Sequence, residues 1–209
     1  MKDLELLAPA RNAEIGIAAI DCGADAVYIA AGEFGARKDA ANPMEDIARL
    51  CDHAHRFGAR VFLTVNTIIF DNELERAHKL MLEAQAAGID AFIVQDPALT
   101  LWDDITVPLH ASTQCAIRDV DTALFYRSLG FARLVIERET SLEQLRAIGE
   151  ACGCELEFFV HGALCVCYSG HCYMSEKLCG RSANRGACVQ ACRSLYDLRD
   201  ADGKTMVRD

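Results

Sequence analysis

No stretch of this chain is apolar for long enough to cross a bilayer as a helix, which takes about 20 residues. Its first residues, MKDLELLAPARN, are too polar for a secretory leader. Both absences point to a cytoplasmic protein with no membrane partner, where thiols stay reduced. Positive charge is also short. Against 31 Asp and Glu stand only 21 Lys and Arg, a net charge of −10, which argues against an extended basic surface for nucleic-acid phosphates. No glycine-rich dinucleotide fingerprint follows the first apolar run, and there is neither a His-Glu-x-x-His helix nor a serine nucleophile elbow. What the chain has in excess is cysteine.

Of its 11 cysteines, six (Cys165, Cys167, Cys172, Cys179, Cys188 and Cys192) fall between Glu157 and Arg193, with Cys154 just upstream. In a reduced compartment that density favours metal ligation or plain burial over disulfides. Cys22, Cys51, Cys115, Cys152 and Cys154 lie in helices or at strand starts and read as buried thiols; Cys167 and Cys179 are open.

The first two-thirds of the chain alternate regularly. Apolar runs at LELLAPA, ADAVYIA, ARVFLTVN, DAFIVQ, PLHAST, FARLVIE and CELEFFVHG are separated by helical patterns. Asn12 reads as an N-cap, as does Asn42 with Pro43 at the first helical position, and Asp71 to Gly88 as an amphipathic helix. Gly23, Gly58, Gly88, Gly130 and Gly153 close helices directly before strands. Gly-Ala-Asp-Ala at Gly23 and Gly-Ile-Asp-Ala at Gly88 look like copies of one unit. Such alternation implies right-handed βαβ crossovers and a parallel sheet. Seven units without a dinucleotide fingerprint predict an α/β fold of the TIM-like (β/α) barrel type.

Residues 1–162 are the barrel repeats, 163–193 a cysteine-rich loop region of the same domain, and 194–209 a C-terminal extension that reads as a hairpin arm. No eighth strand is legible after Arg193, so the barrel is expected to be open or incomplete there, as part of a longer protein or with an irregular closure. In the seventh strand Glu155, Glu157 and His161 share one parity and Leu156, Phe158 and Val160 the other. A buried Glu157 needs a partner, and Arg133 and Arg181 are at hand.

Asn66, Gln95, His110, Thr113, Gln114 and Glu137 fall at or just beyond strand C-termini, the end where barrels build sites. They are expected to line a polar pocket, while Asp96 and Asp119 cap the next helices. His161 suits a general acid or an oxyanion donor, or merely caps its loop. Arg181, Asn184 and Arg185 sit in the glycine-flanked loop GRSANRG, and Arg37 in GARKDAAN. Guanidinium forks of this kind grip carboxylates or phosphates. Cys188 and Cys192 are spaced as if on one helical turn. Four loop thiolates suit an iron–sulfur cluster or, equally, zinc.

FFVHGALCVCYSGHC and GRSANRGACVQACR, with ELLAPA, ADAVYIAAGEFGARKDAAN, VNTII, IVQDPA and LHASTQ, resemble the signature of the collagenase-like peptidases, peptidase family U32, over essentially the whole chain. The resemblance implies an oxygen-independent hydroxylation enzyme carrying a [4Fe-4S] cluster. Its substrate would be tRNA, rRNA or a quinone precursor, with prephenate as the oxygen source. It matches Cys165, Cys172 and Cys188 to cluster ligands; the fourth is Cys192 or a cysteine beyond this chain, and Cys192 is the expectation here. By position and chemistry His161, Glu137 and Arg185 are the catalytic candidates. Arg37, Asn66, Gln95, His110, Thr113, Gln114, Arg181 and Asn184 would bind substrate. The family usually continues into a Ser-Lys-Asp-Leu type segment and a β domain, neither present here, and RNA contacts are expected in such a region. A peptidase using Cys165 with His161, or a non-catalytic subunit carrying the cluster, are the alternatives.

Overall fold

The computed structural model describes residues 4–37 and 41–207, so Lys38, Asp39 and Ala40 of the GARKDAAN loop lie outside the described residues. Seven parallel strands pair strictly in chain order: β1 (Leu7–Pro9), β2 (Ala26–Ala30), β3 (Arg60–Val65), β4 (Ala91–Val94), β5 (Leu109–Ala111), β6 (Arg133–Val135) and β7 (Glu155–Glu157). Among the described residues β7 does not hydrogen-bond to β1, so the sheet curls as an open barrel. Helices α1 (Ala13–Asp21), α2 (Met44–Arg56), α3 (Leu74–Ala86), α4 (Val120–Ser128) and α5 (Leu142–Cys152) cover its outer face. Between β4 and β5 the connection is a 3-10 turn, Pro97–Leu101, opened by Asp96, whose carboxylate accepts the Ala98 N–H at 3.0 Å.

Strand parity divides the molecule into two apolar layers. Val27, Ile29, Val61, Leu63, Phe92, Val94, Leu134 and Ile136 join the helices in the main core. The opposite parity faces the lumen, where Ala26, Phe62, Ala91 and Ile93 form a small apolar patch beside Leu7 and Tyr28. The repeat units agree in detail. Asp25 accepts the Leu6 N–H and Asp90 accepts the Val61 N–H, each at 2.7 Å, while their own amides return to Leu6 O and Val61 O at 2.9 Å. Each aspartate thus pins the start of the preceding strand. The five helix-ending glycines all have positive φ, as expected.

Several local expectations are corrected. Pro43, not Asn42, is the N-cap of α2. Asn42 is buried and donates instead to Ala30 O (2.9 Å) and Arg11 O (3.0 Å), tying β2 to the start of α1. The helix expected from Asp71 begins as a 3-10 turn, Asp71–Glu73, before α3. β7 ends at Glu157, and Val160 is solvent-exposed. Cys188 and Cys192 do not share a helical turn: Cys188 lies in irregular chain, and the 3-10 turn covers Ala191–Arg193 alone. The C-terminal hairpin is present as β8 (Leu198–Arg199) and β9 (Thr205–Val207).

The lumen near β5–β7 is charged. Arg133, 6% exposed, reaches Glu155 at 2.6 Å, Glu5 at 2.6 Å and Glu157 at 3.6 Å, and lies 5.3 Å from the Phe62 ring centroid. Arg60 also pairs with Glu5. Glu5 precedes β1, so Arg133 bridges the two edges that backbone hydrogen bonds leave apart. A buried charge stripped of its partner is costly. Replacing Arg133 by Met is therefore expected to lower stability by about 3 kcal/mol or more, read from the urea midpoint.

Glu157 adds a pH dependence of known sign. Burial raises its pKa above the ordinary 4.5, with Arg133 opposing. Between the two values the folded chain holds a proton that the unfolded chain releases, so this group costs stability as pH rises through the folded value. The stability of Glu157→Gln relative to the unmodified protein should improve as pH is raised from below 4.5 to neutrality, again by urea titration.

Candidate functional site

The segment after β7 folds back across the C-terminal end of the sheet. It comprises the loop to Tyr173, α6 (Met174–Cys179), a 3-10 turn at Ala183–Arg185 and the turn at Ala191–Arg193. Two glycines mark where it touches down. A Cβ on Gly170 would stand 2.2 Å from the Gln114 carbonyl oxygen, and one on Gly186 would stand 2.6 Å from the Gly35 carbonyl oxygen. Both have positive φ, +77° and +81°. Only glycine meets either demand, let alone both.

Side chains reinforce each contact. Glu137, fully buried at the end of β6, accepts the Ser169 N–H at 2.8 Å, and Arg138 donates to Ser169 Oγ at 2.5 Å. On the other side Arg185 donates to Ile68 O (2.5 Å) and to Glu73 (2.6 Å), with its guanidinium 4.2 Å from the Phe70 ring centroid. Glu73 also accepts the Phe70 N–H at 3.0 Å. Burial pushes the Glu73 carboxyl up, but that N–H and Arg185 outweigh it and hold the group below its ordinary value. Within the segment, Asn184 accepts the Cys172 N–H (3.0 Å), Ser175 Oγ accepts the Val189 N–H (3.2 Å) and Arg193 donates to Leu164 O (3.2 Å). The two cysteine-bearing stretches therefore lie side by side.

The expected pocket residues separate into groups. Asn66 is a brace, accepting the Ala36 N–H at 2.8 Å and donating to Ser112 Oγ at 3.3 Å. Gln95 donates to Gln114 O at 3.2 Å and leaves its own carbonyl oxygen unpartnered; the buried Thr113 hydroxyl is likewise unpartnered. These residues, with Gln114 and Glu137, do gather at the C-terminal rim. His110 does not. It lies within β5, packs edge-on against Phe62 at 4.9 Å, and belongs to the lumen beside Arg133. Burial, then the Arg133 charge, brings its pKa down to about 3, so it is neutral. Burial raises the Glu137 pKa, the Ser169 N–H opposes this, and neighbouring Glu139 raises it further.

Arg37 and Arg185 line one cavity of about 390 Å³ beyond β2 and β3, joined there by Thr67, Glu73 and Arg76, which the sequence reading missed. Arg181 is exposed, lines no part of this cavity and makes no side-chain hydrogen bond to a described residue. His161 is exposed and has no hydrogen bond to a described residue, so no His161–Cys165 pair exists among them.

Cys165, Cys172, Cys188 and Cys192 are exposed or half-exposed free thiols. Cys165 and Cys172 are close enough to Cys167 to raise its pKa, after burial as the larger cause. Cys179 is occupied otherwise, its thiol donating to Ser175 O at 3.0 Å. No three His, Cys, Asp or Glu side chains among the described residues stand ready around one point for a metal ion. The donor chemistry fits a thiolate-ligated centre, since the thiols are accessible on two apposed stretches of loop, but the sulfurs are not gathered.

The sequence profile described as Peptidase family U32 matches residues 11–208. The chain belongs to peptidase family U32. It is 52% identical over 203 residues to a 23S rRNA 5-hydroxycytidine synthase of Escherichia coli, covering 97% of this chain and 31% of that protein. It is 36% identical over 210 residues to tRNA hydroxylation protein P1 of Bacillus subtilis, covering 99% and 50%. The chain thus spans half or less of these relatives. A solved U32 peptidase superposes with a TM-score of 0.63 at 16% identity, over 75% of this chain and 68% of its own, and bears out the barrel fold.

In this U32 chain the Gly170 contact is the most exacting link between segment and sheet. Gly170→Ala should cost about 1 kcal/mol or more from the left-handed backbone alone. Hydrogen exchange should rise in 164–173 while β3 and β4 keep their protection; equal exchange in both proteins would remove the seam.

Proposed function

We propose that this chain is the barrel portion of a cytoplasmic RNA-hydroxylating enzyme, acting on rRNA, and that the segment over its catalytic end carries an iron–sulfur cluster. The observation that carries the reading is the placement of the cysteine segment. It is anchored across the C-terminal rim, with Asn184 holding the Cys172 amide and the adjacent Arg185 forming a wall of the arginine-lined cavity. The rRNA relative at 52% identity, against 36% for the tRNA relative, favours a ribosomal cytidine as substrate.

Cys165, Cys172, Cys188 and Cys192 would hold a [4Fe-4S] cluster, with thiolates converging from the two apposed stretches. When bound, it supplies the electron-transfer chemistry that hydroxylation without molecular oxygen needs. The chain's own residues do the rest. Glu73 and Ile68 O fix Arg185 at the rim. Glu137, its pKa raised by burial, is a carboxyl able to hold a proton there. Prephenate is the proposed oxygen source, and RNA is gripped mainly by surfaces outside these residues, given the net charge of −10.

Purified without oxygen, the protein should be brown and carry about four irons per cluster, and Cys165→Ala or Cys172→Ala should lose colour and iron together. Cells lacking the gene should lose a hydroxycytidine from rRNA, read by nuclease digestion and mass spectrometry. Zinc in place of iron, or colourless protein with unligated thiols, would sink the cluster assignment.

A further inference from the structure

A second, smaller recess opens beyond β6, against the cysteine segment. It holds about 140 Å³ and is lined by Arg118, Glu137, Glu139, Thr140, Gln144 and Tyr168. Two of its walls carry buried polar atoms that no described residue meets. Glu137 is fully buried and its Oε2 has no hydrogen-bond partner; Thr140 is 6% exposed and its hydroxyl has none either. A polar atom buried without a partner costs free energy unless something meets it. At the mouth the Arg118 guanidinium lies 4.3 Å from the ring centroid of Tyr168, which is half-exposed.

The other oxygen of Glu137 decides what its Oε2 can read. Oε1 accepts the Ser169 N–H at 2.8 Å, so it is held as an acceptor. A proton on this carboxyl therefore belongs on Oε2. Burial, the larger influence, favours the protonated form, and Glu139 favours it further. The group then offers a donor at Oε2 beside an acceptor at Oε1, which keeps a second lone pair. Cytosine presents the complement, a ring nitrogen that accepts beside an amine that donates. Uracil presents the reverse, a ring N–H beside a carbonyl oxygen.

We propose that this recess takes the flipped-out ring of a cytidine, with Glu137 pairing to its N3 and N4 edge and so selecting cytosine over uracil. Thr140 supplies a further hydrogen bond, and the Tyr168 and Arg118 planes give the ring a stacking surface at the mouth. Enzymes that act on a base take it out of its stack and read its pairing edge in a pocket of this kind. Aromatic rings and guanidinium planes are common stacking partners for such a base. The volume suits a single ring, being below that of sites for whole drug-sized molecules. That the cytidine belongs to rRNA rests on the function proposed above. That the recess selects cytosine rests on its own donors and acceptors.

The test is calorimetric titration of the full-length, anaerobically purified protein with cytidine, uridine and adenosine. Cytidine should bind about tenfold or more tightly than uridine, the effect of two mismatched hydrogen bonds. Glu137→Gln keeps an acceptor beside a donor and should retain that preference, whereas Glu137→Leu should abolish it. Glu137→Leu also releases Ser169, so Thr140→Val is the second variant. It removes a hydroxyl that bonds no described residue, should leave the melting temperature unchanged, and should weaken cytidine by about fivefold. No cytidine binding at millimolar concentration, equal binding of cytidine and uridine, or tighter binding of adenosine overturns the proposal. So does cytidine binding indifferent to both Glu137→Leu and Thr140→Val. Selection of cytidine by a protein that leaves rRNA unmodified keeps the recess assigned and removes the function.

Discussion

Two backbone contacts, Gly170 on the Gln114 carbonyl and Gly186 on the Gly35 carbonyl, decide where the cysteine segment lies. Neither has room for a methyl group, and both glycines occupy the left-handed region that other residues avoid. Because the contacts are made by main chain, they fix position with little freedom for side-chain adjustment. The side-chain contacts at the C-terminal rim cluster around them. Glu137 meets Ser169 right beside the Gly170 contact, and Arg185 reaches Ile68 and Glu73 right beside the Gly186 contact.

Beneath that rim the barrel solves a different problem. An open parallel barrel leaves a gap between its first and last strands, and its short strands of three to six residues offer little lumen surface. Apolar packing fills the β2–β4 side, around Phe62, while the β5–β7 side is filled by Arg133 and its carboxylates. Among the described residues Arg133 is the side chain in that network that pairs with both β7 and the residues leading into β1. The lumen is thus held together across the gap by charge where hydrogen-bonded strand pairing stops.

Much of the fold was legible because it is local. The glycine–aspartate repeats at Gly23 and Gly88 predicted equivalent units, and Asp25 and Asp90 do the same job to the same distance. Strand parity placed Glu155 and Glu157 on one face, and Arg133 proved to be their partner. Depth along a strand was less legible: His110 has the parity of a rim residue but sits inside β5. Least legible were contacts between distant parts of the chain. Arg185 meets Glu73 and Ile68 across 112 and 117 residues, and no local pattern marks either partner. Arg76 reads as an ordinary charge on a helix face, and Thr67 as a hydroxyl after a strand. Their shared cavity exists only once the arginine turn has closed over it. The cysteines were conspicuous from the start, yet nothing in their spacing revealed that the sulfurs would lie on apposed loops without gathering.

The anchoring points also spare the cysteines. The contacts that tie the segment down use glycine backbone, Glu137, Ser169, Arg185 and Glu73, and none of them uses a thiol. Cys172 and Cys179 ride on the span between the two anchors. The anchoring of the segment therefore does not depend on any thiol, and the centre proposed above would draw on side chains that the anchors do not use. Loss of a single thiol should accordingly leave the seam between segment and sheet in place.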